Sequence, residues 1–185
     1  MKNLLTTLLL FVLYGCASFS PENEVQNTAQ LCSGSTNLPE HLTHKFETVE
    51  DQELLKKALG KPGKGDLCQG RVYQSKVESQ IILYRAWNST NPDSKFGKWW
   101  AFHKPVGKIA TYRSDYEICY QWSPLDMLVS CTLKPEVKVV VGNGQSAICS
   151  KYLTYPASAK QQIFIEKASK SVTSCRIFEG HFSWQ

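Results

Sequence analysis

Three short groups of residues could do chemistry together, although the chain separates them widely. Ile81-Ile82-Leu83-Tyr84-Arg85-Ala86-Trp87 is an apolar, β-prone run with one arginine near its end. Phe96-Gly97-Lys98-Trp99-Trp100-Ala101-Phe102 is rich in aromatic rings. Lys160-Gln161-Gln162-Ile163-Phe164-Ile165-Glu166 reads as a strand, with Gln162, Phe164 and Glu166 on one face and Ile163 and Ile165 on the other. A guanidinium fixed on a strand beside aromatic rings can hold an anionic, ring-containing ligand, because Arg grips phosphate in bidentate fashion and rings stack on rings. A carboxamide can orient a hydroxyl or a water. From the residues alone a second reading stays open, a buried hairpin whose Arg85 snorkels to the surface.

The elements that must position these groups can be read from pattern. Residues 81–102 read as two strands joined by a polar turn, Asn88-Ser89-Thr90-Asn91-Pro92-Asp93-Ser94. Lys104-Pro105-Val106-Gly107 then turns into a helix over about 108–120, whose Ile109, Tyr112, Tyr116 and Cys119 share one face toward the core. Upstream, Thr48 reads as an N-cap with Glu50 and Asp51 in the first turn; Leu54, Leu55 and Ala58 form the apolar side, and Gly60 with Pro62 ends the helix. Gly60-Lys61-Pro62-Gly63-Lys64-Gly65 lacks P-loop spacing and follows a helix, so it reads as a flexible loop. Strands are expected near 72–73, 125–131, 137–141 and 176–178. Gly142-Asn143-Gly144 reads as a turn after which 145–149 returns antiparallel. Short strands with two helices predict an α+β fold with a mostly antiparallel core.

At 185 residues, 42% hydrophobic and 20% charged, the chain is long enough for one domain with a true core. The net charge of +5 is spread without a Lys/Arg block, so nucleic acid is not an expected partner. Lys2 followed by an apolar run over 4–14 reads as an export signal too short to span a bilayer. Its end, Leu13-Tyr14-Gly15-Cys16-Ala17-Ser18, resembles the lipoprotein box of bacteria, in which the Cys is lipidated after cleavage; ordinary signal cleavage nearby stays open. The expected layout is therefore a signal peptide over 1–15, a polar tether over 16–42 pinned at Cys32 if that cysteine is bridged, and a folded domain over 43–185. The implied location is the outer membrane, facing the periplasm or the exterior. With Cys16 acylated, six cysteines are left: Cys32, Cys68, Cys119, Cys131, Cys149 and Cys175. In an oxidising compartment they predict three disulfides in one of 15 pairings. No cysteine pair has C-x-x-C spacing and the four histidines do not fall at ligand intervals, so no metal site is expected.

The order Tyr84-Arg85, then Gly97-Lys98-Trp99-Trp100, then Gln162-Ile163-Phe164-Ile165 resembles the ADP-ribosyltransferase superfold. It is most similar to the branch of secreted toxins and NAD glycohydrolases, of the tuberculosis necrotizing toxin type, that carries Gln at the last position. The resemblance covers roughly the last hundred residues and implies an ADP-ribosyltransferase-like fold acting on NAD, with no cofactor beyond that substrate. It implies catalytic roles for Arg85 and Gln162, and substrate contacts from Tyr84, Arg85, Gly97, Trp99, Trp100 and Phe102. Arg85 would bind the phosphates, the rings of Trp99, Trp100 or Phe102 would pack on the nicotinamide, and Gln162 would hold the ribose or a water. Many relatives have Glu where Gln162 stands, which favours NAD hydrolysis over transfer to a protein. Ala101 stands where many have Ser or Thr, and Ser158-Ala159-Lys160 replaces a frequent Gly-Gly. A protein target or a cognate immunity protein is the implied partner, beside NAD and the membrane reached through the lipid anchor.

Other candidates carry less. Gln161 takes the role of Gln162 if the register is one residue off, His103 reads as a solvated turn residue, and Glu166 reads as a surface charge. A polysaccharide hydrolase needs paired carboxylates, and no such pair stands out. The competing function is that of a non-enzymatic, disulfide-stabilised envelope lipoprotein acting as an immunity or binding protein. The discriminating feature is convergence: an enzyme needs Arg85, a Trp99 or Trp100 ring and Gln162 in one cleft, whereas a binder lets them scatter.

Overall fold

The computed structural model describes residues 32–77 and 80–178. The expected signal peptide, Cys16 and most of the expected tether lie outside these residues, as do His181, Phe182 and Trp184. A 3-10 turn at Glu40–Lys45 leads into β1 (Phe46–Thr48), α1 (Gln52–Ala58), β2 (Leu67–Ser75) and β3 (Ile81–Trp87). A second 3-10 turn, Pro92–Phe96, precedes β4 (Trp99–Trp100), α2 (Ile109–Asp115), β5 (Met127–Leu133) and β6 (Lys138–Gly144). β7 (Ala147–Ser150), β8 (Leu153–Tyr155), β9 (Gln161–Phe164), α3 (Ala168–Ser171) and β10 (Val172–Phe178) follow. The expected α+β class with antiparallel strands and few helices is what the chain forms.

The strands make a five-stranded sheet in the order β1-β2-β6-β9-β4, a three-stranded sheet β10-β5-β3, and the small β7-β8 hairpin. Leu83, Val129 and Leu133 of the smaller sheet meet Val139, Val141 and Ile163 of the larger one in a single core. Val140 and Phe164 point the other way, onto Leu54 and Ala58 of α1. This double cover explains why Val139-Val140-Val141 is apolar at every position rather than at alternate ones. Full burial of each such side chain contributes about 1.5–3 kcal/mol, which far outweighs local strand propensity.

Three disulfides join Cys32–Cys68, Cys119–Cys149 and Cys131–Cys175, across sequence separations of 36, 30 and 44 residues. Loop-closure entropy gives about 4 kcal/mol of stabilisation for each, and such bonds persist in oxidising compartments. The segment after Cys32 lies against the folded body. Tyr73 Oη donates to the Thr36 carbonyl (3.0 Å) and Leu42 is buried in the core. No helix among the described residues is long and apolar enough to cross a membrane.

Several local expectations are overturned. β3 and β4 do not form a hairpin: β3 pairs with β5, β4 pairs with β9, and only Tyr84 bridges back to Ala101. The polar turn forms, with the Asn91 N–H donating to the Asn88 carbonyl at 3.1 Å, but Trp99 and Trp100 find their partners, Phe164 and Ile163, more than sixty residues away. Residues 142–144 continue β6 instead of turning, because the glycine at 142 lets the Gln69 carbonyl approach where a Cβ would collide. Residues 147–150 pair with β8, not with β6. The cap of α1 is Asp51, whose Oδ1 accepts from the Leu54 N–H at 3.0 Å; Thr48 ends β1. Finally, α2 stops at Asp115, short of the expected end near 120.

Candidate active site

A cleft of about 390 Å³ is lined from several separate parts of the chain. Arg85 comes from β3, Trp99 and Trp100 from β4, and Gln162 from β9. Tyr112, Tyr116 and Glu117 come from α2 and the turn after it, while the loops at 64–66 and 122–125 add Lys64, Asp66 and Trp122. Arg85, Trp99, Trp100 and Gln162 therefore all line this one cleft.

Arg85 is held before any ligand arrives. Its Nε donates to the Ser94 carbonyl at 2.7 Å and its Nη1 to the Trp99 carbonyl at 2.6 Å. Ser94 lies in the segment between β3 and β4 and Trp99 opens β4, so the polar turn and the strand after it together aim the guanidinium. Gly97 admits it, since a Cβ there would collide with Nη2. These bonds use two of the five guanidinium N–H donors. Among the described residues no carboxylate lies within ion-pair distance of Arg85. Burial lowers its pKa to about 10, which leaves it cationic at neutral pH. A half-buried cation held by carbonyls, without a counter-charge, is a site for an anion.

Register separates the two neighbouring glutamines. Gln161 faces away and donates through Nε2 to the Ser35 carbonyl at 2.7 Å and to that of Asn37. Gln162, opposite Gly142 in β6, is turned into the cleft and is 7% exposed. Its Nε2 donates to Glu117 Oε2 at 2.7 Å and to the Tyr116 carbonyl at 3.3 Å.

Glu117 is the residue that sequence reasoning missed. On a helix continuing to 120 it reads as an ordinary acid, yet α2 ends early and Glu117 adopts φ 48°, a left-handed conformation that non-glycine residues take at a cost of about 1 kcal/mol or more. That turn drives its carboxyl inward, where the residue is 2% exposed. Gly144 provides the space, because a Cβ there would overlap Oε2. Burial pushes the carboxyl pKa up to about 8, with Asp115 acting in the same direction and the Ser158 N–H and hydroxyl and the Gln162 amide acting against it. Oε1 is buried without a hydrogen-bond partner. The turn is fixed on both sides: Arg113 donates to the Ile118 and Ser123 carbonyls (3.2 and 2.6 Å), and Cys119 is bonded to Cys149. The usable sequence signal was its place two residues before a cysteine expected to be bridged.

The remaining candidates fall as follows. Strand alternation places Trp99 on the α1 side of the larger sheet, against Phe164, and Trp100 in the main core, yet both contribute to the lining of the cleft. The Trp99 ring packs on Phe164 with centroids 5.1 Å apart, and Trp100 Nε1 donates to the Gly97 carbonyl at 2.8 Å. Phe102, expected against the substrate, instead joins the core beside Phe46, with ring centroids 6.2 Å apart. Tyr84 is not part of the cleft lining; its backbone ties β3 to Ala101. Gly97 acts through Arg85 rather than by lining the cleft. Glu166 is paired at the surface with Lys57 at 2.6 Å, and His103 is exposed. A held cation beside aromatic rings can take an anionic, ring-containing ligand.

The sequence matches no family model, and it matches no curated protein. Among solved structures the chain is similar to one in the complex of Tne2 with Tni2, with 12% identity and a TM-score of 0.43, covering 66% of this chain and 95% of that chain. A likeness at that level identifies neither a family nor an activity.

Proposed function

We propose that this protein is a secreted, toxin-like enzyme of ADP-ribosyltransferase-like fold that binds NAD and hydrolyses the bond between nicotinamide and ribose. The observation that carries this reading is the convergence of Arg85, Trp99, Trp100 and Gln162 on one cleft. Arg85 binds the pyrophosphate, using donors that the Ser94 and Trp99 carbonyls leave over. The tryptophan faces hold the nicotinamide ring, whose positive charge favours the negative face of an aromatic system. As the glycosidic bond lengthens, positive charge develops on the ribose, and Gln162 orients the sugar or the attacking water. An amide carries no charge, so Gln162 positions more than it stabilises, and that fits hydrolysis better than transfer. The three disulfides fit action in an oxidising compartment. Attachment of the exported chain through a lipid at Cys16, and neutralisation by a cognate immunity protein, belong to the same proposal.

The test is nicotinamide release from NAD by the oxidised protein. Wild type is expected to turn over; Gln162→Ala is expected to lose about 100-fold in kcat. Arg85→Lys, which keeps the charge but not the planar fork, is expected to raise KM about 10-fold. A folded wild-type protein that leaves NAD intact, with or without candidate acceptor proteins, sinks the enzyme reading.

A further inference from the structure

We propose that Glu117 is the general base of the reaction, taking the proton from the water that attacks the ribose; this rests on the NAD-cleaving reading above. The geometry selects it from the other carboxylates. Asp66 also lines the cleft but is exposed, and Glu166 is engaged with Lys57 outside it. Glu117 alone of these is buried, touches Gln162 at 2.7 Å, and has a carboxylate oxygen, Oε1, without a partner. A buried oxygen without a partner is costly, by about 1–3 kcal/mol or more, and the fold maintains it with a left-handed backbone, a glycine at 144 and a disulfide two residues on.

The step balances without a further reactant. The N-glycosidic bond breaks with its electron pair going to the nicotinamide nitrogen, which leaves as the neutral base. Water oxygen bonds to the ribose carbon, its O–H bond breaks, and the proton passes to Oε1. Gln162, by donating to Oε2, keeps the other oxygen turned toward the water. The charged and titratable groups around this carboxyl are Asp115 and Tyr116 beside it in the chain, Lys64 and Asp66 on the facing loop, Arg85 across the cleft, and Lys160, which lies 4.0 Å from Asp115. Burial sets its pKa at about 8, where a base is strongest while still available near neutral pH.

The experiment is the pH profile of NAD turnover by wild type, Glu117→Gln and Glu117→Asp, each with a thermal melt. Wild-type kcat is expected to rise with a slope near one and level off around pH 8. Glu117→Gln is expected to lose about 100-fold or more in kcat with KM nearly unchanged and with that inflection gone. Glu117→Asp, a base set back by one methylene, is expected to retain the inflection and part of the rate. An active wild type with an equally active Glu117→Gln overturns the assignment and leaves the NAD reading standing. A wild type inert toward NAD overturns both. If Glu117→Gln does not fold, the wild-type profile decides: a kcat that is flat from about pH 6 to about pH 9 overturns the assignment.

Discussion

Two buried polar clusters lie side by side on the β6–β9 pair, and they are built in opposite ways. In one, Asn143 is fully buried with both polar atoms partnered: Oδ1 accepts from Gln69 Nε2 at 3.0 Å and Nδ2 donates to the Ala159 carbonyl at 2.8 Å. Around it Gln69 and Gln161 grip the backbone of residues 33–37, and Gly34 lies against the Asn143 amide. In the other, one residue along β9, Gln162 meets Glu117, whose second oxygen is left alone in the wall of a cleft. The first cluster closes on itself and binds the N-terminal segment to the sheet. The second lies in the wall of the cleft, where the backbone of Glu117 is left-handed. The first satisfies its polar atoms within the fold, and the second leaves one carboxyl oxygen without a partner.

This contrast predicts where mutations strike. The largest effect is expected from Gly144→Ala, which puts a methyl group against both Glu117 Oε2 and Gln162 Nε2. NAD turnover should fall by about 100-fold or more while far-UV circular dichroism keeps its wild-type form; undiminished turnover means that the placement of the pair is not critical. Next comes Asn143→Leu, which strands the Ala159 carbonyl and removes one of the acceptors of the Gln69 amide, and should cost about 1–3 kcal/mol in urea melts. Its turnover per folded molecule should match wild type, and a loss of activity there erases the distinction between the clusters. The smallest effect concerns pH. The folded pKa of Glu117, about 8, lies above its ordinary 4.5, so the folded chain holds this proton more tightly than the unfolded chain. Its contribution to stability is therefore complete below the unfolded value and lost as pH rises through the folded one. Thermal melts of wild type should decline across that window, and those of Glu117→Gln should decline less.

The sequence made the frame legible where burial is one-dimensional. The continuous apolar run of β6, the formation of three disulfides by six cysteines and the candidate segments around Arg85, Trp99 and Gln162 could be read from local pattern, whereas which cysteine joins which could not. What could not be read depended on partners distant in the chain. The β3–β4 hairpin fails because Trp99 and Trp100 are completed by β9, and no local signal encodes that choice. Gly142-Asn143-Gly144 has turn composition, yet its glycines are there for close contacts with Gln69 and Glu117. Glu117 was invisible for a related reason. Its helix-like context continues on paper, but the backbone reverses its sense at that residue, and periodicity carries no information past such a point.

The bond between Cys119 and Cys149 gives this arrangement a history as well as a geometry. In a reducing compartment that bond does not form, and the turn that carries Glu117 is then held by hydrogen bonds alone, among them those of Arg113. On the reading developed above, the polypeptide would be latent where it is made and armed only where it is oxidised. Self-protection would then begin with the order of events during maturation, before any neutralising partner is needed.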